Sequence, residues 1–109
     1  MTTSVTRTDE ATVLTVTGEV DLATASALES ALDAALAAEP AALVIDLTAV
    51  SFLASAGMAV LVSVHKRAGG TRLVVVADGP ATSRQLKMTS LDQVFSLHST
   101  LDDALGSLR

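Results

Sequence analysis

Ala42-Leu43-Val44-Ile45-Asp46-Leu47 is a nearly continuous apolar run, the pattern of a central strand covered on both faces of a sheet. A loop, Thr48 to Ala54, leads from it to a second apolar stretch, Ala56 to Ala68. Met58, Val60, Leu61, Val62 and Val64 make that stretch apolar nearly all round, and it turns polar only at His65-Lys66-Arg67. It reads as a largely buried helix whose cationic last turn complements the helix dipole. Gly69-Gly70 closes it, and Leu73-Val74-Val75-Val76-Ala77 supplies the next buried strand. A strand, a helical crossover and a second strand require parallel pairing.

Working toward the N-terminus, Thr12 to Thr17 is rich in β-branched residues, with Val13, Leu14 and Val16 apolar. Ser4 to Thr8 is short and polar enough for an edge strand, joined to it by a turn at Asp9-Glu10-Ala11. Gly18-Glu19-Val20-Asp21 is expected to break the strand. From Leu22 to Ala38 the spacing becomes helical: Leu22, Ala25, Leu28, Leu32 and Leu36 line one side, and Glu29, Ser30 and Asp33 the other. Asp21 is the expected N-cap, and Glu39-Pro40 ends the helix.

Toward the C-terminus, Asp78-Gly79-Pro80 turns into a third helix, about Ala81 to Met88, and Val94 to Leu97 suits a short edge strand. Thr100 to Leu108 forms a last helix, with Thr100 as N-cap and Asp102 and Asp103 in its first turn. The expected fold is α/β: a mixed four- to five-stranded sheet with about four helices, forming one domain over residues 1–109. The carboxyl ends of the three parallel strands share one edge. The loops Gly18–Asp21, Thr48–Ser55 and Asp78–Pro80 meet there, where open α/β sheets tend to place their sites.

Composition removes several classes of function. With no cysteine, disulfides, thiolate catalysis and cysteine zinc sites are excluded. The net charge is -5. The seven basic residues are scattered, with only Phe52 and Phe95 as aromatics, so no direct nucleic-acid contact is expected. Met1 to Glu10 lacks the basic and apolar regions of a signal peptide, and no apolar run approaches the ~20 residues of a membrane span. A cytoplasmic protein, with no membrane association, is expected. His65 and His98 are isolated and lack ligand spacing, so no metal and no cofactor are expected. Met58 and Met88 read as core filler, and Asp46 as a structural carboxylate needing a partner such as a backbone amide or a charge.

Ser55 stands immediately before Ala56-Gly57-Met58 at the head of the buried helix. One reading is an N-cap whose hydroxyl accepts from an exposed amide. The other is a phosphoacceptor, whose phosphate would sit at the positive end of the dipole and block docking by repulsion and desolvation. A nucleophile elbow is not formed, because Leu53-Ala54-Ser55-Ala56-Gly57 lacks its first glycine. His65 lies nearly three turns down the same helix. No catalytic residue is assigned, and an enzyme is not expected.

Asp46-Leu47-Thr48-Ala49-Val50-Ser51-Phe52-Leu53-Ala54-Ser55-Ala56-Gly57-Met58 resembles the signature of STAS-domain anti-sigma factor antagonists. Thr17-Gly18-Glu19-Val20-Asp21-Leu22 resembles their upstream Gly-Glu-hydrophobic-Asp motif. The element order agrees, the likeness covers essentially the whole chain, and it points to actinobacterial members. The resemblance implies partner switching. The antagonist binds an anti-sigma factor kinase of histidine-kinase-like fold and frees a sigma factor. Phosphorylation of a serine at the start of the second helix ends the association, and a PP2C-type phosphatase reverses it.

By that resemblance Ser55 is the phosphoacceptor, and Gly18, Glu19, Asp21, Ala54, Ala56, Gly57 and Met58 belong to the contact edge. The usual Asp-Ser-Ser/Thr-Gly pattern is Ala54-Ser55-Ala56-Gly57 here, which leaves Ser55 as the only hydroxyl of the motif. A constitutive, unphosphorylated antagonist and a free-standing STAS subunit of a transporter-associated complex are the alternatives. A monomer is favoured.

Overall fold

A single five-stranded sheet, β1-β2-β3-β4-β5 in spatial order, runs through the computed structural model, which describes every residue from Met1 to Arg109. The strands are β1 (Thr2–Arg7), β2 (Thr12–Val20), β3 (Ala42–Leu53), β4 (Arg72–Val76) and β5 (Ser96–His98). The helices are α1 (Ala25–Ala37), α2 (Ser55–Lys66), α3 (Ser83–Met88) and α4 (Leu101–Gly106), with a 3-10 turn at Leu91–Gln93. β1 is antiparallel to β2, and every other neighbouring pair is parallel. This is the mixed sheet with four helices that the hydrophobic pattern predicts.

The two faces of the sheet carry different cores. Leu14, Leu43, Ile45, Leu47 and Val75 meet Leu28 and Leu32 of α1, Leu61 and Val64 of α2, and Leu86 of α3. On the opposite face Val13, Val44, Val74 and Val76 pack with Ala104 of α4. β3 and β4 are therefore covered twice, which is why Ala42–Leu47 and Leu73–Val76 read as unbroken apolar runs. At about 25 cal/mol per Å² of apolar surface, each fully buried Leu or Val contributes roughly 1.5–3 kcal/mol, so this double cover dominates the stability. Asp46 is buried within it, and its Oδ1 accepts from the Thr48 amide at 3.0 Å and the Thr48 hydroxyl at 2.7 Å. The required partner is thus supplied two residues along the chain. No helix is long and apolar enough to cross a membrane.

Several element boundaries differ from those the sequence suggests. β2 does not stop at Thr17 but continues through Gly18, Glu19 and Val20. Gly18 adopts φ +96°, and the β2–β3 register shifts between Thr15 and Thr17 and again between Gly18 and Glu19, so irregular pairing absorbs what looked like a strand break. β3 likewise swallows most of the expected Thr48–Ala54 loop, pairing Thr17 with Ala49 and Val20 with Leu53. Only Val50 and Leu53 are buried there, so the segment lacks the continuous apolar character of Ala42–Leu47.

α1 starts at Ala25, and Leu22, counted on its apolar side, is 83 % exposed in the preceding turn. Met88 is not core filler either: it ends α3 and is 71 % exposed, whereas Met58 is buried. The β1 and β5 boundaries shift by about two residues, within the ordinary uncertainty of strand ends. α4 begins as expected, with the Thr100 hydroxyl accepting from the Asp103 amide at 3.1 Å.

Candidate functional site

The paired ends of β2 and β3 build the site. Val20 and Leu53 are register partners, and the next amide, that of Ala54, donates to the Val20 carbonyl at 2.8 Å. From there the chain turns directly into α2. Ala54 occupies the N-cap position with extended backbone (φ -84°, ψ 168°), and its carbonyl accepts from Gly57 and Met58 at 3.0 and 3.1 Å. Alanine offers no side-chain cap.

Ser55 is therefore not the N-cap, as the cap reading had it, but the first residue of the helix. The side chain that would cap belongs to the preceding position, because the helix begins one residue earlier than the sequence suggests, directly where the β2–β3 pairing ends. Ser55 is exposed, and its hydroxyl serves no capping bond. A twelve-residue helix directs its positive end toward it.

Asp21 also takes a different part from the expected helix cap. Its Oδ1 accepts from the Thr24 amide at 3.1 Å and the Thr24 hydroxyl lies 3.2 Å from the same oxygen, while the Asp21 amide donates to that hydroxyl at 2.9 Å. The pair closes the β2–α1 turn on itself, and α1 starts after it, with Thr24 at the N-cap position and no side-chain cap. Thr24 was not singled out from sequence, although the Asp-x-x-Thr spacing was the available signal.

Glu19 is exposed and Gly18 half-buried near the end of β2. The register partner of Glu19 is Phe52, which is 49 % exposed. Ala56 is half-buried, and Gly57 and Met58 are buried, with the Thr89 hydroxyl 3.7 Å from the Met58 sulfur. The end of α3 is thereby packed against the first turns of α2. The Asp78–Pro80 loop is not level with this group: β4 ends at Val76, beside Asp46, while β3 runs on to Leu53. The strands are unequal in length, so the edge is stepped, and only two of the three expected loops come together.

The cavities lie elsewhere. The larger ones, about 420 Å³ each, sit at the C-terminal ends of α1 and α2, lined by Glu39, Arg67 and Gly70, and between β1 and α1, lined by Val5, Ala31 and Ala35. None of the four is lined by Gly18–Asp21 or Ala54–Met58. The Ser55 edge thus lines none of these cavities. The perturbed ionisations are also remote. The Arg67 guanidinium is held protonated above its usual range first by its hydrogen bond to Glu29, 3.0 Å away, with Asp33 at 2.7 Å assisting. His65 stands edge-on to Phe95 with ring centres 5.5 Å apart, and His98 pairs with the Ser96 hydroxyl at 3.1 Å.

Comparison with known proteins places this geometry in context. The STAS domain profile matches residues 2–104. The anti-sigma-F factor antagonist RsfB of Mycobacterium tuberculosis is 46 % identical over 98 residues, spanning 89 % of this chain and 80 % of that protein. The crystal structure of an anti-sigma factor antagonist from Mycobacterium paratuberculosis superposes with a TM-score of 0.95 at 49 % identity, over 99 % of this chain and 93 % of that one. The Bacillus cell fate determinant SpoIIAA in its phosphorylated form shares the fold at 15 % identity, with a TM-score of 0.69 over 99 % of this chain and all of that one.

Proposed function

The chain belongs to the STAS-domain family, among the actinobacterial anti-sigma factor antagonists, and we propose that its β2–β3–α2 edge docks an anti-sigma factor kinase of histidine-kinase-like fold. Docking frees the sigma factor. Phosphorylation of Ser55 ends the association, and a PP2C-type phosphatase restores it. The observation that carries this reading is the exposed Ser55 hydroxyl, uncommitted to capping, at the head of α2 and beside the stretch that bears Glu19 and Asp21.

The chemistry follows from that position. The partner supplies ATP and its magnesium. The Ser55 oxygen attacks the γ-phosphorus, its proton leaves to a base of the kinase, a new oxygen–phosphorus bond forms and ADP departs. Because the hydroxyl caps nothing, no helix-capping bond is lost when the phosphate is added. The product carries about 1.5–2 additional negative charges on an edge that already holds Glu19 and Asp21. Burying that charge against a partner shaped for a neutral hydroxyl is opposed by desolvation and repulsion. Glu19 and Phe52 together offer a charged and an apolar contact on the adjoining strands.

The experiment is to incubate the protein with candidate anti-sigma kinases and ATP and to read the intact mass. One added phosphate in the wild type and none in Ser55→Ala is the expected result. An unmodified mass with every kinase that binds it would leave docking without the switch. A chain that co-purifies with a transporter ATPase and binds no anti-sigma factor would overturn the reading.

A further inference from the structure

We infer that Gly57 is a positioning residue for the docking edge, acting through Val20, and that its missing side chain is what lets the two motifs of the chain lock together. The inference rests on the reading of that edge as the partner site. A Cβ placed on Gly57 would lie 2.5 Å from Val20 Cγ1 and 2.9 Å from Leu53 Cδ1. Both distances are shorter than carbon atoms tolerate. Val20 and Leu53 are 0 % and 1 % exposed, so neither side chain has open space into which to swing.

Backbone conformation does not explain this glycine. Gly18, Gly69 and Gly79 adopt positive φ, whereas Gly57 lies within the regular first turns of α2. A glycine in such a position costs roughly 1 kcal/mol of helix stability relative to alanine. Gly69, Gly70, Gly79 and Gly106 have no atom within 4 Å of a built Cβ. Gly57 is the one glycine whose side chain is excluded by packed side chains.

The consequence reaches the functional surface. Val20 stands between Glu19 and Asp21, and its carbonyl holds the Ala54 amide at 2.8 Å. Gly57 follows Ser55 by two residues. The Val20–Gly57 contact therefore sets the height of the first turn of α2 above the sheet, and so the place of Ser55 relative to Glu19 and Asp21. A methyl group at position 57 lifts that turn. The resemblance alone assigned Gly57 to direct partner contact; its burial assigns it to holding the contact residues in place.

The test is a double-mutant cycle in the full chain, read by affinity for the anti-sigma factor. Gly57→Ala is expected to weaken binding by about tenfold or more, and adding Val20→Ala, which removes the nearer of the two obstructing methyls, to restore part of that loss. Amide NMR shifts of Ser55 and Ala56 should move in Gly57→Ala and return in the double variant. Normal binding in Gly57→Ala overturns the inference. So does a double variant that binds no better than Gly57→Ala, because the loss would then not act through Val20. If the wild type binds no anti-sigma factor, the docking reading fails instead, and the NMR shifts decide the positioning by themselves.

Discussion

The Ala54 amide donates to the Val20 carbonyl at 2.8 Å, one residue beyond the last register pair of β2 and β3. That bond binds the Gly-Glu-Val-Asp motif to the Ala-Ser-Ala-Gly motif before the helix begins. Segments separated by the whole of α1 thereby form one edge, with Thr24 closing the turn on one side and Gly57 packed beneath the other.

Removing the Ser55 hydroxyl should leave the fold almost untouched. Ser55→Ala loses no cap, and alanine is the better helix former, so unfolding free energy is expected to stay within about 0.5 kcal/mol of wild type. Thermal unfolding measures this. A loss of more than about 1 kcal/mol would mean that the hydroxyl carries a structural bond after all.

The N-cap position offers a gain. Ala54 has the extended backbone of an N-cap without a side chain to serve it. Ala54→Asp should stabilise the protein by about 1 kcal/mol, raising the melting temperature by roughly 4–8 °C. It also restores the acidic residue usual before the phosphoacceptor in the resembling family, so phosphate incorporation at Ser55 by the cognate kinase should be faster. An unchanged melting temperature would contradict the capping geometry.

Thr24 should prove as important as Asp21. Thr24→Val keeps the shape but removes the acceptor of the Asp21 amide and the hydroxyl beside Oδ1. The turn is half-exposed, so water replaces part of what is lost, and a cost of about 1 kcal/mol is expected. Asp21→Asn retains an oxygen acceptor for the Thr24 amide and should cost less. Comparing the two by chemical denaturation tests whether the turn is held by this pair; equal and negligible losses would show that it is not.

Acid stability has one identifiable contributor away from the site. A hydrogen bond from Arg109 Nε at 2.9 Å lowers the Glu10 carboxyl below its ordinary value of 4.5. A carboxyl lowered in the folded state stabilises fully above its unfolded value and loses that contribution as pH falls through the folded one. The difference in stability between wild type and Arg109→Gln should therefore shrink as pH is lowered below 4.5. Both groups are accessible, so the difference should be small and weakened by salt.

Much of the fold was legible because the strongest signals were long apolar runs. Ala42–Leu47 and Leu73–Val76 lie under helices on both sides, and that double burial leaves little room for another reading. The ends of β2 and β3 were harder to read. Gly18 and the polar Thr48–Ser51 stretch imitate a loop, while the actual pairing there is bulged and covered on one face only. The same slip displaced the N-cap from Ala54 to Ser55 and the start of α1 from Ala25 to Leu22. Leu22 and Met88 match the helical period, yet lie where the chain turns off the core. The site residues came from motif resemblance. Their division into exposed Ser55 and Glu19, half-buried Asp21 and buried Gly57 and Met58 depends on three-dimensional packing that no local pattern encodes.

The central claim is that an uncharged Ser55 permits docking and a charged one forbids it. Calorimetric titration of the cognate anti-sigma factor into wild type, Ser55→Ala and Ser55→Asp tests it most directly. The expected result is comparable affinity for the first two and a loss of at least about tenfold for Ser55→Asp, with its fold retained. Equal affinity for all three would contradict the account.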